Sequence, residues 1–211
     1  MKTVDTIKII GISGASGSGK TWLTQRLATQ LGQVESFSQD SYYKVQDHID
    51  MSDRVKTNYD HPEALDIDLF VRQLQQLIAG EPIESPIYDY SVHNRGRQTR
   101  RIEPAEYILV EGILLFTFPQ VCEMMDLKIF VDTPADLCFI RRLERDTRER
   151  GRSVESVISQ YMNTVRPMTQ QFITPSRDVA DLVVNGETMT EAQVIRLARH
   201  IQKRELSWAS G

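Results

Sequence analysis

The run Ile7–Ile12, I-K-I-I-G-I, and the octet Gly14-Ala15-Ser16-Gly17-Ser18-Gly19-Lys20-Thr21 that follows it decide how this chain folds. A short apolar run is a buried strand, and G-x-x-x-x-G-K-T after a strand is a phosphate-binding loop. In such a loop, successive backbone N–H groups converge on one concavity, and the following helix adds the positive end of its dipole. Lys20 brings a point charge to the β- and γ-phosphates, and the Thr21 hydroxyl is placed to ligate Mg²⁺. The spacing of Leu23, Leu27 and Leu31 predicts that helix over Lys20 to Leu31. By itself the octet specifies a nucleoside triphosphate with magnesium.

Outward from the loop, further apolar runs stand at Val34–Ser38, Tyr107–Val110, Leu127–Val131 and Leu182–Val184. They lack polar alternation, as strands covered on both faces do. Between them lie amphipathic helices. Asp66–Ala79 carries a stripe of Ile67, Phe70, Leu74, Leu77 and Ile78. Thr133-Pro134-Ala135-Asp136 reads as a helix start with Thr as cap and Pro first inside. Thr190-x-x-Gln193 opens a last helix that turns Val194, Leu197, Ala198 and Ile201 inward. Alternating β and α units behind a phosphate loop predict one α/β domain over 1–211, a doubly wound, mostly parallel sheet. Residues 86–103 break the rhythm. Their aromatic–polar alternation followed by Asn94-Arg95-Gly96 predicts an inserted β-hairpin.

Composition narrows the class. The 211 residues are 40% hydrophobic and 26% charged, which suits a globular domain, and the net charge of −4 gives no basic field for nucleic acid. No apolar run nears the roughly 20 residues that span a bilayer, and Met1–Asp5 does not begin a signal peptide. Cys122 and Cys138 form no C-x-x-C, which points to reduced thiols and a cytoplasmic location. The spacing of His48, His61, His93 and His200 offers no zinc site.

Ligands of open parallel sheets lie at the carboxyl ends of strands. There the chain places Asp40 after the second run, Glu111-Gly112 after the third and Asp132 after the fourth. Either Glu111 or Asp40 could hold Mg²⁺ through water, and Asp40 could take a proton from an acceptor hydroxyl. Arg141, Arg142, Arg145, Arg148, Arg150 and Arg152 form an arginine-rich segment partly neutralised by Glu144, Asp146 and Glu149. With Gly151 as a break, residues 142–152 read as a lid that excludes water from a phosphoryl transfer.

Eight collinear motifs carry a resemblance: G-x-S-G-x-S-G-S-G-K-T, S-Q-D-S-Y-Y, N-Y-D-H-P, P-I-Y-D-Y-x-x-H-x-R, E-G-I-L, F-V-D-T-P, R-R-x-x-R-D-x-x-E-R-G-R and Q-Y-x-x-x-V-R-P-M. Over about residues 7–184 the chain resembles the uridine kinase (uridine–cytidine kinase) family of phosphate-loop nucleoside kinases. The resemblance implies a phosphate-loop kinase fold and transfer of the γ-phosphate of ATP or GTP, with Mg²⁺, to the 5′-hydroxyl of uridine or cytidine. It implies Asp40 as general base, Asp60 as the carboxylate for the ribose 2′- and 3′-hydroxyls, and Tyr43, Tyr88 and Tyr90 as an aromatic wall around the base. The resemblance also implies His93 at the base's hydrogen-bonding edge, where an imidazole, able to donate or accept, suits both uracil and cytosine. Arg142 and Arg152 are implied on the nucleoside side, Arg145 and Arg150 on the phosphate side, Gln160 against the pyrimidine, and Glu111 beside Mg²⁺. The resemblance also implies a homo-oligomer, commonly a tetramer.

Two features depart from that pattern. Trp22 follows the loop where smaller residues are usual, packing either under the donor base or into the core. Asn185-Gly186-Glu187-Thr188 replaces a P-R-G-G segment, which leaves ATP against GTP open. Two other functions stand beside the leading one: a related small-molecule kinase, and a GTPase-like or regulatory nucleotide binder. No N-K-x-D guanine-reading motif supports the latter.

Overall fold

The computed structural model describes residues 7–203; the Met1–Asp5 segment and the tail with Trp208 lie outside the described residues. Five parallel strands form the sheet, in the order β2 (Val34–Ser38), β5 (Tyr107–Glu111), β1 (Lys8–Ser13), β6 (Leu127–Asp132), β7 (Leu182–Asn185). The apolar runs are buried from both sides. Ile9, Phe37, Ile108 and Val110 meet helix Ile67–Ile78 on one face. Ile10, Ile12, Leu109 and Ile129 meet helices Lys20–Leu31 and Glu191–Lys203 on the other. This is the doubly wound arrangement.

Register fixes the site. Glu111 lies level with Ile12 on one side and Ser38 on the other. β1 therefore runs into the phosphate loop, and β2 into Gln39-Asp40, at the same edge where β5 ends in Glu111. Thr190 and Gln193 form the reciprocal cap foreseen for the last helix, with Thr190 N donating to Gln193 Oε1 at 2.8 Å.

Three local readings need correction. The hairpin consists of β3 (Ile83–Asp89) and β4 (Asn94–Ile102), starting three residues before 86, and it reverses at Tyr90–His93 rather than at Asn94–Gly96. Asp89 Oδ1 accepts from Ser91 N at 2.8 Å and closes that turn, while His93 takes φ +49°. Thr133 does not cap helix Ala135–Arg148; its hydroxyl donates to Ser18 O at 2.9 Å and ties the end of β6 to the phosphate loop. Ile78 is 40% exposed, leaving Phe70, Leu74 and Leu77 as the buried stripe. Residues 142–152 form the last turns of helix Ala135–Arg148 and a short turn in which Gly151 has φ +63°. Beyond it a helical run from Val154 to Ile173 contains two wide π-type turns, at Tyr161–Val165 and Thr169–Ile173.

Candidate active site

A cavity of about 710 Å³ opens at the carboxyl edge of the sheet. Ser16, Gly17, Gly19, Lys20 and Thr21 line it, whereas Gly14, Ala15 and Ser18 of the same loop are not among its lining residues. Gly17 holds φ +85°, and a Cβ there would run into the Cys138 carbonyl, so only glycine fits. Lys20 is 9% exposed and its Nζ donates to Ala15 O at 2.9 Å. Burial lowers its pKa, and the nearby Asp40 and Glu111 carboxylates oppose that shift. Glu111 accepts from Thr21 Oγ1 at 3.4 Å and from Thr24 Oγ1 at 3.2 Å. Burial pushes the Glu111 carboxyl upward, with Lys20 countering.

Asp40 sits on the single-turn helix Gln39–Tyr42 that follows β2. Gln39 anchors it: the buried Gln39 Oε1 accepts from Leu114 N at 3.1 Å, and its side chain lies where a Cβ on Gly112 would stand. Tyr90 Oη donates to Asp40 Oδ2 at 3.0 Å. Beyond Asp40 stands an aromatic wall. Tyr43 meets Tyr59 and Tyr88 edge-on at 5.2 and 5.1 Å, and His93 stacks on Tyr59 at 5.7 Å. Asp60 lies within this wall at 5% exposure; burial raises its carboxyl pKa and the Arg142 charge partly offsets the rise. Burial, then Arg152 and Arg150, push the His93 imidazole down, so the ring is neutral at pH 7.

The arginines converge on one carboxylate. Asp146 has no exposure and is approached by Arg145 Nη2 at 2.8 Å, Arg150 Nη1 at 3.4 Å, Arg142 Nε at 3.5 Å and Arg152 Nη1 at 3.7 Å. All four guanidinium groups meet at this one carboxylate. Arg142 Nη1 donates to Ser16 Oγ of the phosphate loop at 2.9 Å, and Arg150 lies 4.1 Å above the ring of Tyr90 on the hairpin. Gln160 lines the cavity, yet its Oε1 accepts from both Arg142 (2.8 Å) and Arg152. It braces the arginines, so its carbonyl is already engaged.

Lys20, Thr21, Asp40, Tyr43, Asp60, Tyr88, Tyr90, His93, Glu111, Arg142, Arg145, Arg150, Arg152 and Gln160 all border this one cavity. Sequence reasoning missed Tyr59, Thr24 and the central place of Asp146. Tyr59 stood beside Asp60 in N-Y-D-H-P, and Thr24 lies one turn after Lys20 on the face that meets Glu111. Asp146 stood in R-R-x-x-R-D-x-x-E-R-G-R, where it was read only as one of three acids that partly neutralise the arginines.

A Thr hydroxyl and carboxylates facing one cavity are hard oxygen donors of the kind Mg²⁺ takes alongside phosphate oxygens. Among the described residues no three His, Cys, Asp or Glu side chains form a protein-only metal cage. Thr21 and Glu111 therefore fit a metal that a phosphorylated ligand would share.

Residues 9–193 match the model of the phosphoribulokinase / uridine kinase family. A uridine kinase of Bacillus cereus (strain B4264) is 50% identical over 178 residues, 83% of this chain and 84% of that protein. A uridine kinase of Bacillus anthracis (strain CDC 684 / NRRL 3495) is 49% identical over 202 residues, 93% of this chain and 95% of its own length. The phosphoribulokinase of Rhodobacter spheroides shares the fold, with a TM-score of 0.61 at 18% identity over 90% of this chain and 74% of that one.

Proposed function

We propose, for a chain that belongs to the phosphoribulokinase/uridine kinase family, transfer of the γ-phosphoryl group of ATP to the 5′-hydroxyl of uridine or cytidine, giving UMP or CMP. The observation that carries this reading is the sharing of one cavity by Lys20 and Thr21, by Asp40, and by Asp60 inside a tyrosine wall. A carboxylate can accept from two vicinal hydroxyls at once, which makes Asp60 a ribose clamp. With the ribose held there, the 5′-hydroxyl faces Asp40. Tyr90 fixes Asp40 Oδ2 and leaves Oδ1 to accept the hydroxyl proton as the oxygen attacks. Lys20, Arg142 and Arg145 offset charge on the transferring group, and the arginine-bearing turn excludes competing water. Thr21 and Glu111 would hold Mg²⁺, which when bound neutralises charge on the β- and γ-oxygens.

The neutral His93 presents either a donor or an acceptor, which supports use of both pyrimidines. GTP as a second donor, a cytoplasmic location and assembly into a homo-oligomer belong to the same proposal. No described helix is long and apolar enough to cross a membrane.

A panel of nucleosides assayed for ADP formation tests the reading. Uridine and cytidine should support turnover, and 2′-deoxyuridine should lose roughly 100-fold in kcat/KM, because it leaves a buried charged acceptor unpaired. Asp60→Ala should erase that discrimination. Since burial raises the Asp60 pKa, the uridine KM should climb as pH falls through a range above that of an ordinary carboxylate. A flat KM there, or equal use of deoxyuridine, counts against Asp60 as the clamp.

Tyr90 gives a second check. Tyr90→Phe keeps the ring under Arg150 and removes the hydroxyl from Asp40, so kcat should fall about 10-fold with the uridine KM nearly unchanged. A change in KM alone would make Tyr90 part of the base wall and nothing more.

A further inference from the structure

Among the described residues, His93 is the one non-glycine with a left-handed backbone, at φ +49°. A residue with a Cβ rarely adopts that region, and it stays there only where its surroundings fix it. The turn that carries His93 is anchored on both sides. Before it, Asp89 Oδ1 accepts from Ser91 N at 2.8 Å and from Ser91 Oγ at 2.6 Å. After it, the buried Asn94 accepts from Gln46 N at 2.9 Å and donates to Asp47 Oδ1 at 2.6 Å. Between these anchors, the His93 carbonyl faces the Tyr59 hydroxyl at 3.2 Å.

Tyr59 reaches that carbonyl from a different part of the chain. It is 9% exposed, and its Oη also lies 3.0 Å from Arg54 O and 3.4 Å from Gln46 Oε1. One hydroxyl proton therefore serves acceptors on the segment before Asp60 and on the hairpin turn. The Tyr59 ring meanwhile stacks on the imidazole, with centroids 5.7 Å apart and planes 27° from parallel. Hydroxyl and ring thus hold the backbone and the side chain of the same histidine. Asp60 follows Tyr59 directly, and both Asp60 and His93 line the cavity. A single tyrosine joins the two.

We propose that Tyr59 is the positioning residue for His93: its hydroxyl holds the left-handed turn, so that the imidazole keeps a fixed place relative to Asp60. A phenyl ring at 59 would preserve the stack on His93 and the edge-on contact with Tyr43, but not the tie to the backbone. Without that tie, His93 relaxes toward an ordinary negative φ, which redirects its Cβ and swings the imidazole away from its place in the wall. Asp60 would still hold the ribose, with the base edge left unread. The hydroxyl therefore acts on affinity for the nucleoside rather than on the transfer step. This inference rests on the reading of His93 as the group that meets the base, and adds what keeps it in place.

The test compares the full chain with Tyr59→Phe, His93→Ala and the double variant. In carbon–proton NMR spectra of histidine-labelled protein, the imidazole of His93 is the resonance, of four, that His93→Ala removes. Tyr59→Phe should displace that resonance and leave the one from His200 in place. It should also raise KM for uridine and cytidine roughly 10-fold, with kcat within about twofold of the parent. In the His93→Ala background the same change should move KM by less than about twofold, because no imidazole is left to place. An unmoved His93 resonance in Tyr59→Phe, or an equal KM penalty with and without the imidazole, overturns the positioning role. A displaced resonance with parent KM in both single variants would uphold the tie and overturn instead the reading of His93 as the group that meets the base.

Discussion

Asp40→Asn is expected to lower kcat for uridine phosphorylation by about three orders of magnitude while uridine binding stays within a few-fold of the parent. Asparagine has the shape of aspartate, and its Oδ1 can still accept from Tyr90 Oη, so the turn Gln39–Tyr42 keeps its place. Gln39, which anchors that turn through Leu114 N, is untouched. What disappears is an acceptor basic enough to take the 5′-hydroxyl proton. The comparison is made with kcat and KM from steady-state assays, a calorimetric Kd for uridine, and a melting temperature. Turnover near that of the parent would remove Asp40 from proton transfer. A rise in Kd matching the fall in kcat would make it a binding residue.

Removing Asp146 is expected to have the other large effect, through both stability and rate. Asp146 has no exposure, Arg142 is 8% exposed, and Arg145, Arg150 and Arg152 are between 21% and 31% exposed. Asp146→Ala leaves four cations crowded together without the carboxylate that pairs them. Taking one partner from a buried ion pair costs about 3–5 kcal/mol, and because three of these heads reach water the lower end, about 3 kcal/mol, applies. Arg142 and Arg152 also share Gln160, so their joint displacement should cost a further factor of about 100 in kcat through lost positioning. Asp146→Asn separates charge from shape: it should retain part of the stability and little of the rate. Both variants are assayed below their own melting temperatures. Parent-like kcat in Asp146→Asn would show that geometry, not charge, holds the arginines.

The parts of this molecule that are legible in sequence are those set by local chemistry. The phosphate loop, the buried strands and the Thr190–Gln193 cap each depend on residues a few positions apart, so their patterns survive in the linear chain. Glu111 was legible because a strand-end acid in a parallel sheet must lie at the ligand edge, and its register with Ile12 and Ser38 places it there. The parts that were not legible depend on distant partners. Asp146 reads in sequence as one acid in a charged helix; only the fold, with its turn at Gly151, brings Arg150 and Arg152 back beside Arg142 and Arg145 onto it. Thr133 has the form of a cap, but the neighbouring Ser18 carbonyl takes its hydroxyl. The hairpin reversal went to Tyr90–His93 because Asp89 closes a turn there, while Asn94 is drawn inward to Gln46 N and Asp47. That shift matters for function, since it carries Tyr90 onto Asp40 and under Arg150.

The proposed function requires one cavity to hold a phosphate donor and a nucleoside with Asp40 between them. Phosphorus-31 NMR of a reaction containing the protein, ATP, Mg²⁺ and uridine tests it most directly. A 5′-phosphomonoester resonance matching UMP should grow in step with ADP and only when uridine is present. Inorganic phosphate appearing with ADP at a rate indifferent to uridine would contradict it.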